Sequence, residues 1–103
     1  MLKLYEILVP AYINNIEIPI EKHQVWDFEI SKLVGGCTIF NPVKGRWLGN
    51  TGLIGEQMIP VRIACSEQIM KKVCEFTAHF YEQDAIFAWK VSDQVIIHKR
   101  VTK

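Results

Sequence analysis

The chain reads as an α+β fold: an antiparallel sheet with two helices on one of its faces. Three observations carry that reading. Two stretches repeat apolar residues at three- and four-residue spacing, the mark of an amphipathic helix. Short runs rich in Ile, Val, Tyr, Phe and Trp, bounded by Gly, Pro and Asn, lie around them as strands. Their order along the chain is β-α-β-β-α-β, with one more strand at the C-terminus.

The elements follow in sequence. KLYEILVPAY, residues 3–12, predicts a strand that frays after Pro10, because proline cannot donate to a ladder. NNIEIP reads as a loop. Pro19 opens the first helix, where its missing N–H costs nothing. Val25, Trp26, Ile30, Leu33 and Val34 form its apolar face, and Gly35-Gly36 ends it, since glycine tolerates the left-handed cap. CTIF is a short strand, NPVKG a turn, RWL a resumed strand and GNTG a second break. In EQMIPVRIAC, residues 56–65, Met58, Val61, Ile63 and Cys65 point inward and Arg62 outward. The alternation slips near Pro60, which predicts an edge or a bulge.

Ser66 is an N-cap, and Glu67 suits the first turn of the second helix. Ile69, Met70, Val73, Cys74, Phe76, Phe80 and Tyr81 give that helix a wide apolar stripe. AIFAWKV is a strand, SDQ a turn and VIIHKRV a last strand. The whole is a ferredoxin-like βαββαβ sandwich with an extra C-terminal strand, one domain over residues 1–103. Two helices cover one sheet face. A sheet wet on its other face should alternate apolar and polar residues. LYEILV, IFAW and VII do not: each carries apolar residues on both parities. A second copy of the chain is the simplest cover, so the sequence predicts a homo-oligomer with sites between subunits.

Composition excludes several classes. Of 103 residues, 50% are hydrophobic and 22% charged, which is globular and not disordered. A net charge of +1 lacks the basic excess of a nucleic-acid binder, and the basic tail HKRVTK reads as a solvated end. No apolar run approaches the ~20 residues of a membrane span, and no signal-like segment is seen. Three cysteines without CxxC spacing and three scattered histidines argue against a disulfide framework and a metal site. The expected compartment is the cytoplasm.

Two carboxylates stand out. Glu56 begins a strand that soon becomes buried, and Glu82 ends the second helix, where negative charge opposes the helix dipole. A solvated helix end accounts for Glu82 equally well. Gln83 follows it. Tyr12 and Trp47 lie at loop–strand junctions, suited to core, interface or stacking on a ligand.

ILVPAY, Glu56 with VRIAC, and YEQDAIFAW together resemble the phage-encoded S-adenosylmethionine lyases, in order from residue 7 to about residue 90. The resemblance implies a PII-like fold, a homotrimer and host cytoplasm. It implies intramolecular cleavage of S-adenosylmethionine to 5′-methylthioadenosine and homoserine lactone, with no metal or cofactor. The substrate's own carboxylate would attack, so the protein's task would be to position it in a dry pocket. By this match Glu56 and Glu82 would be the catalytic carboxylates, with Gln83, Tyr12 and Trp47 binding substrate. The same polar helix end also fits a non-enzymatic PII-like module that binds a nucleotide or a partner, or a structural protein that binds a host enzyme.

Overall fold

A computed structural model describes residues 1–101. The elements are β1 (Lys3–Pro10), β2 (Tyr12–Ile13), β3 (Ile16–Glu17), α1 (Ile20–Val34), β4 (Thr38–Ile39), β5 (Val43–Gly49), β6 (Gly52–Cys65), α2 (Glu67–Phe80) and β7 (Ala88–Ser92). The main sheet runs β4-β6-β1-β7, with β5 also on β6, and every pairing is antiparallel. This is the ferredoxin-like, PII-like α+β arrangement.

The centre is the β1–β6 ladder, paired from Lys3↔Cys65 to Pro10↔Met58 without a slip. Side chains alternate across a sheet. Tyr5, Ile7 and Val9 therefore share one face with Val61, Ile63 and Cys65, and all six are buried. α1 lays Trp26 and Ile30 on this face, and α2 adds Met70 and Val73. Val25 and Leu33, expected in the α1 face, are exposed instead. Three-residue spacing admitted them, but the buried stripe of α1 is narrow.

Several local details differ from the expectation. NNIEIP is not only a loop: Asn14 and Asn15, both with positive φ (51° and 64°), turn β2 back onto β3. Such a two-residue turn matches strand twist and favours Asn, which tolerates the left-handed region. NPVKG does not reverse the chain. β4 and β5 both run antiparallel to β6, so Asn41-Pro42 only interrupts one strand direction, and the reversal comes at Asn50-Thr51. β6 is accordingly longer than residues 56–65 and starts at Gly52. No slip occurs at Pro60, which sits opposite Leu8 in register. Its carbonyl accepts from the Phe40 N–H on the β4/β5 side. N–H and C=O of one antiparallel residue point the same way. The missing N–H of Pro60 therefore faces the gap between β4 and β5, where no ladder bond is needed. Met58 lies on the opposite face from Val61 and Ile63.

VIIHKRV forms no strand within the chain. Ser92 Oγ bonds the Gln94 N–H and carbonyl, both at 3.1 Å, and residues 95–101 carry no secondary structure. Ile96 and Ile97 are exposed. A strand needs an edge to pair with, and the fold brings none of its own to this segment.

The helices are joined by buried polar contacts that the apolar pattern did not reveal. Trp26 Nε1 donates to Thr77 Oγ1 at 3.0 Å, and Thr77 Oγ1 donates to the Val73 carbonyl at 2.6 Å. Thr77 is fully buried. Beside them, His23 Nδ1 and the buried Tyr81 hydroxyl share a bond of 2.7 Å. Burial pushes the Tyr81 phenol well above its ordinary value, with nearby Asp27 adding to the shift. Desolvation lowers the His23 imidazole, partly opposed by Asp27, and desolvation raises the Asp27 carboxyl.

These contacts can be tested by substitution and by pH. Thr77→Val leaves the buried Trp26 N–H without an acceptor and should cost about 1–3 kcal/mol, read by urea denaturation. The second test concerns pH. A depressed histidine binds its proton later in the folded than in the unfolded state. Its contribution is complete above the ordinary value of 6.5 and is lost as pH falls through the lower folded value. Asp27 acts oppositely, nearer its ordinary 3.8. Melting temperature should fall as pH drops from 7 toward 5. His23→Gln, which keeps a hydrogen-bonding partner for Tyr81, should flatten that fall, as a series of melting curves across the range would show.

Candidate functional site

A cleft of about 640 Å³ opens where the β5–β6 hairpin leaves the body of the fold. Three pieces of chain meet there. The first is the end of β1 and the β2–β3 turn, contributing Pro10, Tyr12, Asn14 and Asn15. The second is the hairpin, with Lys44, Arg46, Gly55, Glu56 and Gln57. The third is Gln83, just past α2. The Ala11 N–H donates to the Gln57 carbonyl at 3.1 Å and ties the first piece to the second.

A smaller cavity of about 270 Å³ adjoins it on the sheet face away from the helices. It is lined mainly by Leu8, Pro10, Trp47, Met58, Ile86 and Phe87, with Glu56 and Gln83 bordering both cavities. Trp47 Nε1 donates to Glu56 Oε2 at 3.0 Å. The Trp47 and Phe87 rings lie 6.3 Å apart, and Phe87 and Trp89 5.3 Å apart edge to face. Gly45 is cross-strand from Glu56, and a Cβ there would sit in ordinary contact with the Trp47 ring at 3.5 Å.

Four of the five residues singled out from sequence thus come together: Glu56, Gln83 and Tyr12 line the larger cleft, and Trp47 holds Glu56. Glu82 does not join them. It is exposed and borders neither cavity. Its backbone is the notable part. The Glu82 N–H bonds the His79 carbonyl at 3.2 Å, and the Gln83 N–H bonds the Ala78 carbonyl at 2.8 Å. With φ at 53°, Glu82 occupies the left-handed position of a Schellman cap, where glycine is usual. The cap turns the chain and delivers Gln83 to the cleft, and the Gln83 side-chain amide donates to the Tyr81 carbonyl at 3.0 Å.

Lys44, Arg46, Asn14 and Asn15 were missed from sequence. The alternate spacing of Lys44 and Arg46 on a strand was the available signal for two of them. The described residues hold four ion pairs: Lys32–Glu29, Arg62–Glu6, Lys71–Glu67 and Lys90–Asp93. Lys44 and Arg46 belong to none of them. No three His, Cys, Asp or Glu side chains among the described residues are grouped to hold a metal ion.

Comparison with known proteins bears on the fold. No protein-family model matches the chain, and no curated protein matches it in sequence. Solved structures do match. CutA1 from Oryza sativa aligns with a TM-score of 0.70 at 12% identity, over 93% of this chain and 83% of that one. The periplasmic divalent cation tolerance protein CutA from Archaeoglobus fulgidus gives 0.69 at 11%, over 94% and 88%. The divalent cation tolerance protein from Thermus thermophilus gives 0.65 at 12%, over 92% and 88%. At these identities the likeness is one of fold.

These findings overturn the S-adenosylmethionine lyase reading. The similar structures are divalent cation tolerance proteins and not lyases, and no sequence match supports the phage family. The catalytic parts given to Glu56 and Glu82, the substrate and its two products go with it. Of the segments behind that resemblance, ILVPAY and VRIAC fall mostly on the two central strands of the sheet, and YEQDAIFAW runs from the C-cap of α2 to the start of β7. The composition of the first two answers to burial on the β1–β6 ladder and not to a reaction. Among the described residues, no helix is long and apolar enough to cross a membrane.

The cap gives a prediction. Left-handed backbone costs a non-glycine residue about 1–2 kcal/mol, part of which glycine returns through its freer unfolded state. Glu82→Gly should raise stability by about 0.5–1 kcal/mol in denaturant unfolding. No gain would mean that the Glu82 side chain contributes a contact of its own.

Proposed function

We propose that this protein is a non-enzymatic PII-like module that assembles as a homotrimer and binds a small ligand, a nucleotide as the favoured class, in the cleft at the hairpin root. The observation that carries the reading is the convergence of three separate chain segments on one polar cleft beside an uncovered apolar sheet face.

The assembly is supported by what a single chain leaves open. Leu8, Pro60, Phe87 and Trp89 share the sheet face that no helix covers, in one plane with the Glu6–Arg62 ion pair at 2.9 Å. The Arg62 guanidinium lies 5.2 Å from the Phe40 ring. Phe40, Trp47, Phe87, Trp89 and Val91 are all exposed. An apolar patch of this kind on a small chain marks an interaction surface. The shape agrees: the Cα radius of gyration is 15.2 Å, against about 13 Å for a compact chain of this length. The hairpin extends beyond what one core can pack, and Leu48 and Leu53 near its tip are exposed.

The ligand is supported by the lining. Lys44 and Arg46 give the cleft positive charge. Tyr12 and the amides of Asn14, Asn15 and Gln83 give it hydrogen-bonding groups, and Trp47 and Phe87 give the adjoining cavity aromatic surface for a base. The similar solved proteins are named for divalent cation tolerance. A cleft carrying lysine and arginine suits an anion better than a cation, so we do not extend that name to this chain. We place the protein in the cytoplasm, where its three free thiols stay reduced.

Light scattering behind a sizing column should give three times the 11.9 kDa chain mass. Phe87→Asp with Trp89→Asp should reduce it toward one. ATP at a hundredfold excess over its dissociation constant should add about 2.7 kcal/mol of stability and raise the melting temperature by several degrees. A monomer that no nucleotide stabilises would overturn the reading.

A further inference from the structure

We infer that the hairpin root is an oxyanion seat, with Gly55 as its floor and Lys44 and Arg46 as its charged walls. The inference rests on the binding-module reading and names the chemical group that the cleft takes.

The geometry starts from the strand pairing. Lys44 and Arg46 are two residues apart on β5, so they share a face of the hairpin. Their cross-strand partners on β6 are Gln57 and Gly55. All four line the larger cleft. Glu56 lies between those partners and so has the opposite parity. Its carboxylate is turned to the other side and engaged by Trp47 Nε1 at 3.0 Å. Glu56 borders the cleft as well, with its Oε2 accepting from Trp47, and neither Lys44 nor Arg46 is paired with an acid among the described residues. The turn residues Asn14 and Asn15 border the same space.

Gly55 is the observation that points to a ligand. A glycine inside a strand weakens it and often marks a place where a ligand or another backbone comes close. Nothing in the backbone here requires glycine, since Gly55 has no left-handed φ. Nothing in the packing requires it either: a Cβ at Gly55 would meet no atom within 4 Å. In this it differs from Gly49, where a Cβ would lie 2.6 Å from Ile54 Cδ1, and from Gly52, whose φ is 127°. The missing side chain leaves the cleft floor bare opposite Arg46. A guanidinium forks onto a phosphate or a carboxylate with two parallel hydrogen bonds, and a lysine beside it adds a point charge. The group that fits is a small oxyanion, either phosphate or carboxylate.

Calorimetric titration of the intact protein with pyrophosphate, citrate, ATP and adenosine tests the inference, with Gly55→Val and the double variant Lys44→Gln, Arg46→Gln alongside. Pyrophosphate or citrate should bind, more weakly at high salt; which of them binds distinguishes a phosphate from a carboxylate source. ATP should bind more tightly than adenosine. Both variants should lose oxyanion binding by tenfold or more. Gly55→Val should also keep or raise the melting temperature, because valine favours a strand and its Cβ would have open space there. Adenosine binding as tightly as ATP, unchanged in both variants, would overturn the seat and leave the module standing. Binding of none of the four would overturn both. A Gly55→Val protein that loses its assembly along with its binding would also overturn the seat, since the bare floor would then be the place of a partner's backbone.

Discussion

The rest of the structure depends on the unbroken pairing of β1 with β6. Eight consecutive pairs fix which side chains meet the helices and which do not. Tyr5, Ile7, Val9, Val61, Ile63 and Cys65 become the floor on which Trp26, Ile30, Met70 and Val73 pack. Leu8 and Pro60 are forced to the other face by the same alternation. A slip of one residue would turn one strand over against the other and put either Glu6 or Arg62 under the helices beside the other strand's apolar set. The ladder also carries β6 outward past Met58, where β5 joins it and the cleft begins. Core, uncovered face and hairpin root are three consequences of one register.

Much of this was legible in the sequence, for physical reasons that can be named. Trp26, Ile30, Met70 and Val73 are apolar at helical spacing, and burial is what such spacing records. Thr77 was not legible, because a threonine on a helix reads as polar until its partner, the Trp26 indole 51 residues away, is known. The Asn14-Asn15 reversal reads as a loop because β2 and β3 are two residues each, too short for any alternation. Asn41-Pro42 carried the stronger turn signal. Yet the chain only pauses there, since β6 is long enough to pair with the strand on both sides of the break. Local turn chemistry marks an interruption, but the length of the partner strand decides whether it becomes a reversal. The last stretch, VIIHKRV, has strand composition and no strand within the chain, because β propensity reports fitness for a sheet and not the presence of an edge.

The site was legible in part. Glu56, Gln83, Tyr12 and Trp47 were chosen for residue type at element junctions, and the fold gathers all four around adjoining cavities. Junctions of a small sandwich converge at few places, so residues at several junctions have a fair chance of meeting. The reaction assigned to them had no such support. ILVPAY, Glu56 with VRIAC, and YEQDAIFAW carried the resemblance; the first two lie on central strands, and a central strand of any sheet buried on one side by helices can hold similar residues. Lys44 and Arg46 escaped notice because charged residues two apart on a hairpin are common, and only the cleft distinguishes them. Gly55 escaped because a glycine near Gly49 and Gly52 reads as one more turn residue. Its position, four residues past the reversal and inside a strand, separates it from them.

The run HFYEQDA, at the boundary between α2 and β7, joins these points. The helix ends at Tyr81, which is fully buried and bonded to His23. The chain must then reverse within two residues to reach β1's free side. Glu82 takes the left-handed conformation that makes this possible. Gln83 is the first residue after the turn and lands between the two cavities. Phe87 lies four residues further, its carbonyl accepting from the Leu8 N–H at 3.0 Å. That bond sets its ring on the uncovered face beside Trp47. The polar and aromatic sides of the candidate site are therefore spaced by one short connection that starts at the left-handed cap on Glu82. A strained Glu82 is the local cost of placing both Gln83 and Phe87, and the Gln83 amide, bonded to the Tyr81 carbonyl, is held in place by the same residue that ends the helix.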